Sequence, residues 1–293
     1  MTTPRLGRRE FLGASLGASA LAAGGAWAEP AAASDATDWR QNEQIQKARE
    51  VGLGILKPSP KELQRGLELH AESIVFDSYG FSPRAALDGD VVRAAAEAGA
   101  SRVELQDLRE EMSMTRPATD PVERAEFLQA WKAAGVTCIF QNAGEEGQDP
   151  MRLLKRLARF TYLTDKMRDV VAKAVTPDDV VAAKEENRHC LYFSGNGVPL
   201  RQHWVSVEDE LRYVRIFFQL GIRMMHLTYQ RRNMIGDGCG EPGNAGLSDF
   251  GRSVVAEMNR VGVIVDVAHC GWRTSLEAAQ VSQRPMVASH TTC

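Results

Sequence analysis

Val263-Ile-Val-Asp-Val-Ala-His269-Cys270, followed by Pro285-Met-Val-Ala-Ser-His290-Thr-Thr-Cys293, is the stretch that decides the reading of this chain. Each half is a short apolar β-type run that ends in a histidine, and a helical pattern lies between them. A buried parallel strand that delivers a histidine at its C-terminal end is how barrel hydrolases assemble a metal site. A lone histidine would be read as an ordinary hydrogen-bonded one. Two in matching positions favour a shared site, with His269 and His290 as metal ligands.

Working outward, strand-like and helix-like segments alternate along the chain. Strands are expected near residues 74, 136, 190, 224, 263 and 286. Helices are expected from Pro60 to His70 (Ser59 as N-cap), Val91 to Ala100, Pro121 to Ala134, Met151 to Ala174, Thr176 to about Asn187, Val207 to Leu220 and Leu247 to Val261 (Ser248 as N-cap). Repeated strand-then-helix order argues for a parallel α/β architecture. A closed (β/α)8 barrel needs eight strands, and six are legible. An open doubly wound sheet is the alternative, but its glycine-rich dinucleotide fingerprint is missing. Gly236-Asp-Gly-Cys-Gly240 has no helix directly behind it and reads as a loop, not a phosphate cradle.

Composition narrows the function classes. The 293 residues carry a formal charge of -3, with 44% hydrophobic and 25% charged residues. That is ordinary for a globular protein and leaves no basic footprint, so nucleic acid is excluded as an expected partner. The five cysteines form no CxxC pair, and an odd number argues against a complete disulfide framework. Arg8-Arg9-Glu10-Phe11-Leu12, a weakly apolar run and Ala26-Trp27-Ala28 read as a twin-arginine signal peptide over residues 1–28. Residues 29–45 read as a linker and 46–293 as an incomplete α/β barrel domain. The expected location is periplasmic or secreted, with no transmembrane span after signal removal.

The segment Gly246-Leu-Ser-Asp-Phe-Gly-Arg-Ser through His269, continued by Ser282-Gln-Arg-Pro-Met-Val-Ala-Ser-His290, resembles the membrane (renal) dipeptidase family. Looser similarity reaches back through Leu220–Thr228 and Ala134–Thr137 to His70–Asp77. The resemblance implies a TIM barrel of the amidohydrolase type, here with about six strands, a dinuclear zinc centre, and cleavage of dipeptides or related small amides. It makes His269 and His290 ligands of one zinc. The family's His-x-Asp pair on strand one falls at Tyr79 and Phe81, and its bridging glutamate at Ser194, in the turn Ser194–Gly197. A substrate-contacting histidine falls at Tyr229. Three of five ligands are thus replaced, which implies an altered or mononuclear zinc site. A homodimer is a further expectation from the resemblance, as is a small-molecule or dipeptide partner.

A third ligand for the remaining pair would come from Asp266, Asp77 or Glu241. Asp266, three residues before His269, is expected on the opposite face of its strand, and Asp77 in a supporting place beside the site. Cys270 is disfavoured as a nucleophile because neighbours on an extended strand face opposite ways. Tyr79 and Tyr229 either bind a ligand or fill vacated space. Trp272 and Trp204 are expected in core packing, with a pocket lining as the other reading. Arg109-Glu110-Glu111 is expected on a solvated helix face. Three functions follow for test: an altered metallohydrolase, a silent barrel that binds a small ligand, and an incomplete gene product.

Overall fold

Local sequence signals set the helix boundaries of the chain, which is described by a computed structural model over residues 38–144 and 150–291. The expected signal peptide and residues 29–37 of the expected linker lie outside the described residues. In the remainder of that linker, a 3-10 turn at Trp39–Gln41 leads into helix α1 (Glu43–Leu56), where the Asn42 side chain accepts from the Gln44 and Ile45 N–H groups. Helix α2 (Pro60–Glu72) opens with a reciprocal box in which Ser59 and Glu62 each satisfy the other's backbone N–H. After strand β1 (Phe76–Gly80) come α3 (Gly89–Glu97), α4 (Arg102–Thr115, boxed by Ser101 and Glu104) and α5 (Pro121–Ala134). Gly135 ends α5 in the left-handed region, at φ 61°.

The rest of the chain follows the same alternation. Strand β2 (Cys138–Asn142) precedes α6 (Pro150–Lys166), β3 (Val171–Ala174), α7 (Pro177–Glu185) and β4 (His189–Gly195). Then come α8 (Val207–Gln219), β5 (Met224–His226), α9 (Asp249–Val261, capped by Ser248), β6 (Ile264–Asp266) and α10 (Trp272–Val281). Two expectations change. The long helix expected to Ala174 stops at Lys166, because the β-branched pair Val170-Val171 opens a buried strand that pairs with β4. Near 286 there is one parallel bridge, Asp266 to Val287, in place of a full strand. Helix α1 was not anticipated, and α4 was anticipated only as the helix face that carries Arg109–Glu111.

All strand pairs are parallel, in the order β1-β2-β4-β5-β6, with β3 also on β4. Strand β3 holds the first half of β4, and β5 takes over at Ser194 and Gly195. Side chains alternate between two faces, as the pleat requires. Ile139, Leu191, Phe193, Met225 and Val265 enter the main core with α6, α8 and α9 residues such as Phe160, Val214 and Val254. Cys138, Cys190 and Tyr192 form a smaller cluster on the other face, closed by Val180 and Ala183 of α7. Cys138 and Cys190 are register neighbours, and both are free thiols. Parallel pairing brings every strand's C-terminal end to one side, where ligands of α/β sheets bind.

Helix α4 is anchored by charge, not solvated as expected. Glu110 is buried, at 5% exposure. It contacts Arg152 (2.6 Å), Arg156 (2.8 Å) and Arg159 (3.1 Å), three residues that recur along one side of α6. The pattern was misread because the partners lie some forty residues away. Burial raises the Glu110 carboxyl, but the hydrogen bonds and charges of Arg156 and Arg152 outweigh it and hold the group at about 2. A carboxylate lowered in the folded state stabilises above its unfolded value, near 4.5, and loses that contribution as pH falls from 4.5 toward 2. The shift corresponds to roughly 3 kcal/mol. The urea midpoint is therefore expected to fall between pH 5.5 and pH 3, and to fall less in Glu110→Gln; equal slopes in the two proteins would refute the assignment.

Candidate metal centre

Register fixes the centre. His226 at the end of β5 is the direct partner of Asp266 at the end of β6, so the two side chains share one face. Their Nε2 and Oδ2 atoms are 2.8 Å apart, and both side chains are fully buried. Asp266 was expected to point away from His269, by strand alternation. The alternation fails because β6 ends at Asp266 and the chain turns: His269 sits in the left-handed region at φ 63°. That backbone costs on the order of 1–3 kcal/mol in a non-glycine residue. The loop before α9 braces it, with Cys239 N–H donating to the His269 carbonyl at 2.8 Å and Gly271 N–H to that of Asp237. Gly238 permits the approach: a Cβ there would meet the Gln230 backbone at 2.3 Å.

His269 and His290 converge. Their Nε2 atoms are 2.8 Å apart. Ser289 orients the second ring, lying 2.9 Å from His290 Nδ1 while its hydroxyl donates to Asp266 Oδ2 at 2.5 Å. With Nδ1–H donating to Ser289, His290 presents a bare Nε2 lone pair toward His269. Burial first, then the neighbouring histidines, lowers both His269 and His290 below the usual imidazole range, against a smaller pull from Asp266. Neutral imidazole is the form that binds metal. Burial works to raise Asp266, but His226, Ser289 and the Ala268 N–H together outweigh it and hold the carboxyl down.

Aromatic rings cover the pair. Tyr79 stacks on His290 with ring centres 3.9 Å apart, and Tyr229 stacks on His269 at 4.2 Å. The Tyr79 hydroxyl accepts from Asn142 at 2.8 Å and donates to Asn196 at 3.2 Å. Burial, then the charges of Tyr229 and Asp266, raises its pKa, so the phenol stays protonated. Phe81 lies outside, 57% exposed, with its ring edge-on to Tyr79. Ser194 is fully buried and its Oγ has no hydrogen-bond partner among the described residues. Sequence reasoning missed His226, whose only signal was its place at a strand end, three residues before Tyr229.

The remaining candidates sit elsewhere. Asp77 is exposed and accepts from the Tyr79 N–H, and Glu241 accepts from the Arg232 N–H; neither joins the histidines. Burial pushes the Cys270 thiol up to about 11, which leaves it a poor nucleophile. Trp272 is 88% exposed, and Trp204 is an exposed ring edge-on to Phe250, so the expectation of core packing fails for both. The residues fit one ion. His269 and His290 offer converging nitrogens, whereas Tyr79, Phe81 and Ser194 offer no counterpart to a second ligand set.

The sequence pattern of the membrane dipeptidases (Peptidase family M19) matches residues 63–293. The chain belongs to this family. Among curated relatives, dipeptidase verJ of Clonostachys rogersoniana is 35% identical over 82 residues, 27% of this chain and 21% of that protein. Dipeptidase tcpJ of Claviceps purpurea is 39% identical over 80 residues, 27% of this chain and 19% of that one. Among solved structures, an amidohydrolase from Pseudomonas aeruginosa superposes with TM-score 0.53 at 26% identity, over 76% of this chain and 55% of its own. The probable dipeptidase PvdM of the same organism gives 0.54 at 19% identity, over 80% and 56%, a likeness of fold. The chain thus spans about half the length of those structures, and its six parallel strands with their helices are part of a TIM barrel of the amidohydrolase type.

Proposed function

We propose that this dipeptidase-family chain is a metal-dependent hydrolase of dipeptides or related small amides that works with a single ion at His269 and His290. The observation that carries the reading is the 2.8 Å approach of the two Nε2 atoms, both on imidazoles kept neutral by burial. A divalent ion bound there supplies a Lewis acid for the scissile carbonyl and a water of lowered pKa. The chain's own part is orientation. Ser289 and Asp266 hold the His290 ring in one tautomer, and the braced turn holds His269. The protonated Tyr79 hydroxyl and the Tyr229 ring border the place a small substrate would take. Zinc is the proposed ion, since imidazole and carboxylate groups suit it.

Export by the twin-arginine signal to the periplasm or beyond is part of the proposal; among the described residues no helix is long and apolar enough to cross a membrane. A second reading, a silent barrel that binds a small ligand, is favoured by the two tyrosine rings stacked on the histidines, which fill space instead of activating water. Metal content and hydrolysis separate them. The first reading expects about one zinc per folded chain and release of free amino acids from a dipeptide, abolished by a chelator and restored by zinc. Folded protein with no zinc and no turnover would support the second.

A further inference from the structure

His226 is a fully buried histidine at the floor of the site, and its Nδ1 has no hydrogen-bond partner among the described residues. Its Nε2 lies 2.8 Å from Asp266 Oδ2 without forming an aligned hydrogen bond. A buried ring nitrogen left unpaired loses its bonds to water without replacing them. Asp266 in turn keeps capacity in hand. Its Oδ1 accepts from the Ala268 and Ser289 N–H groups, and its Oδ2 from the Ser289 hydroxyl. A carboxylate has about four acceptor sites, so one remains, on the side of His226.

One donor atom each from His226, Asp266 and His290 all lie within 4.8 Å of one another. Tetrahedral zinc with arms of about 2.0–2.2 Å places its ligand atoms roughly 3.4 Å apart. Small side-chain rotations span the difference. His269 adds a fourth donor through its contact with His290. Its ring centre is 4.8 Å from that of His290 and 5.9 Å from that of His226.

We propose that His226 and Asp266 complete, with His269 and His290, a four-ligand site for one divalent transition ion, three imidazoles and a carboxylate. This rests on the single-ion reading above and deepens it. Two imidazoles alone are an incomplete shell for zinc, which takes three or four protein ligands. His226 on β5 and Asp266 on β6 supply the rest from positions that strand register already holds together. Two of these donors, His226 and Asp266, are fully buried beneath the outer histidine pair. The buried Nδ1 gains a partner, or the ring turns to offer Nε2 while Asp266 keeps its Ser289 bond.

The test is zinc and cobalt binding to the purified mature chain, with X-ray absorption to count imidazoles on the unmodified protein. The expected result is one ion per chain with three imidazoles. In His226→Gln, which keeps a polar side chain of similar length, zinc affinity is expected to drop more than about 100-fold, beyond the 10–100-fold that a supporting residue costs. Circular dichroism and the metal-free melting temperature verify that the variant folds. Two imidazoles in the unmodified protein, or full affinity in a folded His226→Gln beside lost affinity in His269→Gln, would overturn this inference and leave the single-ion reading standing. A folded parent chain that takes up neither metal would overturn both.

Discussion

A chain carrying Tyr79→His, Phe81→Asp and Ser194→Glu together is expected to take up a second zinc and to become dependent on it for stability. The three positions are those at which the family resemblance places a His-x-Asp pair and a bridging glutamate. The structure gives the expectation physical content. Ser194 is fully buried with an idle hydroxyl, in register between Asn142 of β2 and Met224 of β5. A glutamate there, without a cation, is an unpaired buried charge that costs several kcal/mol. Removing the Tyr79 hydroxyl also strips Asn142 and Asn196 of a partner and His290 of its stacked ring. The metal-free variant should therefore melt well below the parent. Zinc, binding only the folded state, should recover the loss in proportion to the logarithm of its concentration. Zinc content by elemental analysis, with melting curves across a zinc titration, reads both effects. A variant whose zinc content matches that of the parent would show that β1 and β4 have been matched to the wrong positions.

The second large effect belongs to Glu110, far from the histidines. Glu110→Ala removes a carboxylate that Arg152, Arg156 and Arg159 share among the described residues, between α4 and α6. Breaking a buried ion pair from one side costs about 3–5 kcal/mol, and because Arg159 keeps Glu111 and Asp107 the loss is expected toward the lower end. For a domain of this size that lowers the melting temperature by roughly 10 °C. Glu111→Ala is the control. Its side chain is 56% exposed and, among the described residues, pairs with Arg159, so it should cost about 1 kcal/mol or less. Near-equal melting temperatures for the two variants would show that the arginine cluster is held by other groups. Arg156 also donates to the Gly144 carbonyl just beyond β2, so loosening α6 should reach the rim of the site.

Short-range signals carried much of this protein into view. The alternating apolar runs placed β2, β4, β5 and β6, because a buried strand must be apolar over a few residues whatever surrounds it. Ser59, Thr176 and Ser248 marked helix starts, because a cap is a bond between a side chain and backbone two or three residues away. The same locality placed His269 and His290 at the ends of adjacent segments. Where two signals competed, locality failed: the helix from Met151 was drawn through Val171–Ala174, whose strand state depends on pairing with β4.

What only the tertiary structure decided are the relations between distant segments. The exposure of an acidic residue in a helix cannot be read from its neighbours when its three arginines stand on another helix, as with Glu110. Asp266 faces the histidines because β6 ends at that residue and the chain then turns through a left-handed His269, which resets the alternation used to exclude it. His226 gained its meaning from register alone, since pairing β5 with β6 one residue out would have moved it to the opposite face. The sequence by itself determined which chemistry-bearing residues stand at strand ends. Pairing register and the points where strands stop decided which of them meet, because those are set by packing across the sheet and not by any bond along the chain.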